Sequence, residues 1–201
     1  TPDEAVIQLV LGNATPTPFS PRKPSLEPAA IPVADARQWR PDLFPLIATN
    51  RLPLRIGADS NGANRFVGEM ARARVFGRAL SAEEIAASAA NKPHPLDKDP
   101  ALVGDWQLGR RQGAVVPNSA GNVLPAKIVG QLDFVDSSHG PVVRMNGNGY
   151  LEVAPDPRLD LTSACTLEAW VRPAQQAASG ARILDKSRVG TANGYLLDTC
   201  P

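Results

Sequence analysis

Eight short apolar runs, each bounded by turn residues, follow one another between residues 101 and 199. They read LVGDWQL, AKIVG, LDFVD, PVVRMNG, GYLEVAP, CTLEAWVRP, ARILDKS and GYLLDT, and turn clusters such as NSAGN, NGNG and TANG separate them. Runs of this length and spacing are typical of an antiparallel sandwich or barrel and not of βαβ units. The pattern therefore predicts an all-β fold for this part of the chain.

Alternation within CTLEAWV indicates which side chains face the core. Residues two apart on a strand share a face, and the apolar set is Cys165, Leu167, Ala169 and Val171. The opposite face carries Thr166, Glu168 and Trp170. The first set is predicted to be core.

Residues 52–90 carry two further strands and a helix signal. LPLRIGAD predicts a short strand that ends at Gly57, and FVGEMARARVFGRAL predicts a second strand. In the second strand Met70 falls on the face of the arginines, so its burial requires a β-bulge near Ala71. SAEE predicts a capping box, with Ser81 at the N-cap and Glu84 at N3, that begins a short helix near residues 81–90. The breakers in NKPHPLDKDP, residues 91–100, end this helix.

Proline distinguishes the first fifty residues from the rest. The chain has 20 prolines, and nine of them precede residue 51. Each proline removes a backbone donor and is excluded from helix interiors and central strands. Residues 1–50 are therefore predicted to be an irregular segment packed on the sandwich, in which VIQLVL at 6–11 forms one strand.

Two stretches of the chain resemble the laminin-G-like, concanavalin-A-like jelly-roll family in its bacterial form. Residues 52–86, LPLRIGADSNGANRFVGEMARARVFGRALSAEEIA, are similar to the last part of such a module. The stretch from LVGDWQLG to GYLLDT is similar to its first half. The resemblance implies an antiparallel jelly-roll β-sandwich with one short helix, and it implies that the two parts stand in reversed order. The family often has an acidic residue where Ala71 stands here.

The reversed order leaves two interpretations open. In the favoured one, residues 51–201 form a single sandwich in permuted order, with terminal strands and helix in 51–90, a linker in 91–100 and first-half strands in 101–201. The strand of Met70–Val75 then pairs with that of Val103–Leu108, and Trp106 packs at this seam. In the alternative, residues 1–92 end one module and residues 101–201 begin a second.

No catalytic signature stands in the sequence. The E-x-D-x-x-E run that would place two carboxylates for glycoside hydrolysis is missing, as are a G-x-S-x-G elbow, a P-loop and a dinucleotide fingerprint. The net charge of +1 gives no indication of a nucleic-acid partner, and no apolar run is long enough to cross a membrane. We therefore expect a chain that is not an enzyme.

Two sets of residues are candidates for binding. Sugars require exposed aromatic rings beside amides or carboxylates, which points to Asn148, Tyr150, Glu168, Trp170 and Tyr195. The alternative is that these rings close the sandwich or pack under the Pro-rich segment. Calcium prefers carboxylate, amide and carbonyl oxygens on turns, which points to Asp59, Asn61, Asn64 and Asn146. The alternative is that these residues only form turns.

Three smaller predictions concern single residues. Cys165 and Cys200 are either a buried thiol and a second thiol or a disulfide. Asp185 and Lys186 in ILDKS are predicted to be a solvated strand end. His94 and His139 lie in loops, and we expect no zinc site there.

The resemblance also implies a function. Modules of this family often accompany glycoside hydrolase domains, so we expect a non-catalytic carbohydrate-binding or spacer module of a secreted or periplasmic bacterial protein that acts on polysaccharide. Its expected partners are a glycan and the catalytic domain of its parent protein. A structural or adhesive protein-interaction domain is the alternative, and a free-standing glycanase is a distant third.

Overall fold

Twelve strands, one α-helix and two 3-10 turns make up the computed structural model, which describes residues 5–11 (backbone only), 47–89, 95–121, 123–138, 140–174, 180–191 and 193–199. The helix α1 spans Ala82–Ala89, and the turns span Pro95–Lys98 and Pro157–Leu159. The strands are β1 Ala5–Leu11, β2 Leu54–Ile56, β3 Val67–Phe76, β4 Leu102–Gln107, β5 Val115–Val116, β6 Ala126–Gly130, β7 Asp133–Ser137, β8 Gly140–Asn146, β9 Gly149–Val153, β10 Cys165–Pro173, β11 Arg182–Ser187 and β12 Gly194–Asp198.

The strands form two antiparallel sheets. The front sheet has the order β1-β10-β3-β8-β7. Along one edge of β3, β8 pairs with the N-terminal half and β4 pairs with the C-terminal half. The back sheet has the order β12-β11-β2-β9-β6-β5. Side chains from both sheets enclose one large apolar cluster, so the predicted all-β sandwich is confirmed. VIQLVL, predicted as a strand, lies in β1, which pairs with β10.

The inward face of β10 was read correctly from its alternation. Its four apolar residues are all buried in the shared core: Cys165, Leu167, Ala169 and Val171. Cys165 is a free thiol, and burial raises the pKa of this thiol to about 12. Cys200 lies outside the described residues. The strand thus places apolar groups inward and leaves its other face for polar contacts.

A β-bulge in β3 sits where the sequence predicts it. Trp170 of β10 lies opposite Arg72, whereas the next residue, Val171, lies opposite Met70. Ala71 is the extra residue between them, and it returns Met70 to the core, where it is fully buried. The bulge therefore reconciles the arginine-rich sequence of β3 with one continuous apolar face.

Strands from before and after the linker share both sheets. Residues 72–76 of β3 pair with β4, and Ala73 lies opposite Trp106, as predicted. Trp106 is fully buried, and its indole Nε1 donates to the carbonyl of Leu124 at 2.9 Å. In the back sheet, β2 lies between β11 and β9. Whether the chain forms one permuted sandwich or parts of two modules stays a prediction.

The linker is more ordered than the sequence predicts. Residues 90–94 lie outside the described residues, but Pro95–Lys98 form a 3-10 turn, and Leu96 is buried in a second apolar cluster with Phe76, Leu80 and Leu102. Proline tolerates the first turn of a helix, and Leu96 supplies an apolar anchor, while Pro95, Asp97 and Lys98 stay exposed.

Helix α1 begins with the predicted capping box. The backbone N–H of Ser81 donates to Glu84 Oε2 at 2.8 Å, and the backbone N–H of Glu84 donates to Ser81 Oγ at 3.2 Å. Arg78 reinforces this start, because it forms hydrogen bonds with both carboxylate oxygens of Glu84 and with Asp99 after the linker. These bonds connect the first turn of α1 to Arg78 before the helix and, through Arg78, to Asp99 after it.

Acidification should weaken this attachment. Hydrogen bonds from Arg78 are the main reason that the pKa values of Glu84 and Asp99 lie below their ordinary values of 4.5 and 3.8. Carboxylates with lowered pKa contribute stability above the unfolded-state pKa and lose it as pH falls through the folded-state pKa. In urea unfolding from pH 7 to pH 2, we expect the free energy of unfolding to fall from about pH 5 downward. Arg78→Met should make the fall smaller, and an identical pH profile for this variant would contradict the prediction.

The predicted solvated end of β11 is buried instead. Asp185 and Lys186 are each 2% exposed. The Nζ of Lys186 donates to the carbonyl of Asn50 at 2.8 Å and to Asp160 at 2.9 Å. Residues 47–50 pack over this strand, so the prediction of a solvated strand end is wrong. The alternation of side chains within ILDKS does not indicate whether another segment lies above them. Residues 12–46, the rest of the predicted Pro-rich cover, lie outside the described residues. Within the described ranges, no helix has the length and apolarity that a membrane crossing demands.

Candidate functional site

The five predicted ligand-binding residues lie in three separate places. Tyr195 of β12 is in the core, where its hydroxyl donates to the carbonyl of Leu159 at 3.1 Å. Asn148 and Tyr150 belong to the turn before β9 and to the outer face of the back sheet. Glu168 and Trp170 lie on the outer face of the front sheet. The structure therefore brings together two pairs and not one five-residue site.

Glu168 is covered by helix α1. Ser88 of α1 donates to its Oε2 at 3.0 Å, and Nη1 of Arg74 lies 3.5 Å from the same oxygen. Arg74 also contacts Asp97, which follows Leu96 in the 3-10 turn. Glu168 and Arg74 are both almost fully buried. These groups hold α1 and the 3-10 turn on the front sheet, so the position of Glu168 fits an internal ion pair.

Trp170 follows Glu168 on the outer face of the front sheet. It is two residues from Glu168 on the same outer face of β10, and it is half-buried. The guanidinium carbon of Arg72, its register partner on β3, lies 5.6 Å from the ring centroid, within cation–π distance. Its indole Nε1 is buried and has no acceptor among the described residues. Trp170 thus combines partial exposure with a position on the outer face of the front sheet.

A cavity is lined in part by Arg172, which follows Trp170 by two residues on β10, whereas Trp170 itself does not line it. The cavity measures about 450 Å³ and lies where β3, β8 and β10 run side by side. Glu69 of β3 accepts from Arg144 of β8 at 3.0 Å and from Arg172 of β10 at 2.5 Å. Burial of Glu69 raises the pKa of its carboxyl, but the hydrogen bonds from the two arginines outweigh this effect and hold the pKa below its ordinary value. Asn146 also lines the cavity.

A glycine allows the close strand approach at this cavity. Gly68 has φ of +145°, and a Cβ at this position would lie 2.4 Å from the carbonyl oxygen of Arg172. Any side chain would therefore push β3 away from β10. Because Gly68 precedes Glu69 directly, it fixes the distance between the two strands that carry the carboxylate and one of its arginines.

Tyr150 forms a second, more closely covered aromatic surface. The guanidinium carbons of Arg55 and Arg65 lie 5.0 and 5.6 Å from its ring centroid. Gly62 lies so near that a Cβ there would be 3.6 Å from the tyrosine hydroxyl oxygen. The loop of residues 59–64 and the two arginines thus already occupy much of the surroundings of this ring.

The two predicted calcium loops are adjacent, and arginine joins them. Arg65 donates to the carbonyls of Gly62 and Gly147, each at 2.8 Å. The carboxylate of Asp59 accepts from the backbone of Asn61 and Ala63 and from the side-chain amide of Asn64. In the second loop, the side-chain oxygen of Asn146 accepts from the backbone of Asn148. A calcium ion would have to replace these bonds. In the described part of the chain, no three His, Cys, Asp or Glu side chains form a group that could hold a metal, and the calcium hypothesis stays a prediction.

The chain was compared with family models, curated proteins and solved structures. No family model, curated protein or solved structure matches this chain.

The three charged residues of the cavity were not among the predicted site residues. Glu69, Arg144 and Arg172 come from three strands that are distant in sequence, and they meet only through the register of the front sheet. One signal was available, because each is a charged residue at an outward position of its strand. That signal indicates an outer face and does not indicate which charges become neighbours.

Proposed function

We propose that this chain is a non-catalytic carbohydrate-binding module, and that its glycan binds on the outer face of the front sheet. The observation that carries the proposal is the half-buried Trp170 ring two residues along β10 from Arg172, which lines a cavity together with other charged and amide side chains. The binding surface consists of Trp170, Arg72, Glu69, Arg144, Arg172 and Asn146.

The chemistry of this surface suits a sugar. A pyranose ring has an apolar face of C–H groups and a rim of hydroxyls. The indole ring offers a large apolar surface that is rigid and amphipathic, and the arginine, glutamate and asparagine groups offer donors and acceptors for the hydroxyls. Binding sites usually combine apolar walls with a few convergent polar groups, as this face does.

The proposal includes the fold family and the setting. We infer a laminin-G-like, concanavalin-A-like jelly roll, supported by the sequence resemblance and by the two antiparallel sheets. A module of this kind belongs to a secreted or periplasmic bacterial protein that acts on polysaccharide, beside a catalytic domain. A structural or adhesive domain with a protein partner is the second candidate. The apolar cluster that packs α1 against the front sheet favours a structural role of this kind. A glycanase is a distant third.

Replacing Trp170 by alanine should abolish most of the glycan affinity. A glycan array screened with and without calcium identifies the tightest ligand, and isothermal titration calorimetry then gives Kd for each variant. We expect Trp170→Ala to raise Kd at least about tenfold, because stacking on one aromatic ring contributes about 0.5–1.5 kcal/mol beyond the apolar area that it buries. Trp170→Phe should retain part of the affinity.

Tyr150→Ala is the matched control, since it removes the aromatic ring on the back sheet. It should leave Kd within about twofold. Loss of binding in Tyr150→Ala with full binding in Trp170→Ala would move the site to the back sheet. An array on which no glycan binds would favour the adhesive domain.

A further inference from the structure

The cavity on the front sheet carries an excess of positive charge. Arg144 and Arg172 contribute two positive charges and Glu69 contributes one negative charge. The arginine side chains are 53% and 43% exposed, whereas that of Glu69 is 10% exposed. The carboxylate therefore lies at the floor of the cavity, and the guanidinium groups reach the solvent.

Both arginines keep donors that the described residues do not use. Arg144 binds Glu69 through Nε and Nη2, which leaves Nη1, and Arg172 binds it through Nη2, which leaves Nε and Nη1. Guanidinium donors form a planar fork that matches a carboxylate. Since both groups line a cavity of about 450 Å³, there is room for a second carboxylate above that of Glu69.

Asp133 of β7 is a further carboxylate in the same row of the front sheet. It is exposed and is the register partner of Arg144 on β7, and no ion pair joins the two among the described residues. In the part of the chain that the structure describes, Glu69 is the carboxylate that forms ion pairs with the two cavity arginines.

We propose that this cavity binds the carboxylate of a uronic acid residue, so that the glycan of this module is a polyuronate. The assignment rests on the proposed function and makes it specific. The sugar ring lies against Trp170, and its carboxylate accepts hydrogen bonds from Arg144 and Arg172. Glu69 accepts hydrogen bonds from both guanidinium groups, and Gly68 allows the close approach of β3 and β10 beside it.

The first test uses the unmodified protein and compares charged with neutral polymers. Calorimetry measures binding of polygalacturonate, alginate and glucuronan, and of fully methyl-esterified polygalacturonate, which has the same backbone without the charge. We expect at least one polyuronate to bind and, if it is polygalacturonate, esterification to raise Kd roughly tenfold to a hundredfold, as the loss of charge-assisted hydrogen bonds predicts. Equal binding of the ester, or no binding of any of the three polyuronates, would overturn the proposal.

The second test removes one guanidinium at a time. Arg144→Gln and Arg172→Gln should each raise Kd for the bound polyuronate about tenfold or more, and Arg144→Lys, which keeps the charge but not the fork, should give a smaller loss. Arg110→Gln is the matched control, because Arg110 is an exposed arginine outside the cavity. A loss in Arg110→Gln as large as in the cavity variants would mean diffuse attraction of a polyanion and would overturn the site.

Two further outcomes separate this inference from the proposed function. If a neutral glycan binds in a Trp170-dependent manner and the polyuronates do not, the module binds carbohydrate but the carboxylate site is wrong. Dextran sulfate, with uncharged dextran as its control, tests whether the cavity binds anions in general and not carboxylates in particular. Dextran sulfate that binds as tightly as the polyuronate would replace the carboxylate assignment by a general anion site.

Discussion

Replacing Trp106 by alanine should lower the free energy of unfolding by about 3–5 kcal/mol. The side chain is fully buried at the junction of β3 and β4, in the core that both sheets share. Its loss leaves a cavity and removes the donor to the carbonyl of Leu124. Gly104 shows how closely this ring is packed, because a Cβ there would lie 2.1 Å from the indole. Urea unfolding at pH 7 measures the change.

Trp170→Ala provides the comparison for this prediction. It removes the same side chain from the outer face of the front sheet, where the residue is half-buried, and should cost less than about 2 kcal/mol. If both variants lose the same free energy of unfolding, Trp106 contributes no more to stability than a half-buried tryptophan. That result would contradict its position in the core. A stable Trp170→Ala protein also validates its use in the binding experiment.

Replacing Arg74 by methionine should lower the free energy of unfolding by about 3–5 kcal/mol. Arg74 is buried between β3 and α1, where it contacts Ser88, Asp97 and Glu168. Removing one partner of a buried ion pair leaves the charge of the other in a poorly solvating environment. The exposed Arg110→Met substitution should change the free energy by no more than about 0.5 kcal/mol.

A double substitution separates charge from packing in this network. Arg74→Met combined with Glu168→Gln removes both charges, so the double variant should be more stable than Arg74→Met alone. If the two losses simply add, the pair contributes through packing and not through its charges. A loss below about 1 kcal/mol for Arg74→Met would contradict the buried ion pair itself.

Much of the fold could be predicted because local chemistry determines it. Alternation identified the core face of β10, and the misplaced apolar Met70 among arginines required the bulge at Ala71. The Ser81 and Glu84 side chains specify the start of α1 through bonds within one turn of the chain. Each of these features depends on residues that are close in sequence.

The burial of polar groups could not be predicted in the same way. Glu168 and Lys186 alternate as surface residues would, but α1 covers one and residues 47–50 cover the other. The cavity depends likewise on three strands whose relative register follows from the assembled core. Sequence patterns indicate the face on which a side chain lies, and tertiary packing decides what lies above it.

Cleavage of the linker tests most directly whether residues 47–89 and 95–199 build one sandwich. A site for a sequence-specific protease, inserted after Lys92, allows the folded protein to be cut, and size-exclusion chromatography then follows the two pieces. We expect them to elute together at the volume of the uncut protein, because β3 pairs with β4, β8 and β10 and β2 pairs with β9 and β11. Separation into two pieces that aggregate through their open sheet edges would contradict the single sandwich and favour the ends of two modules.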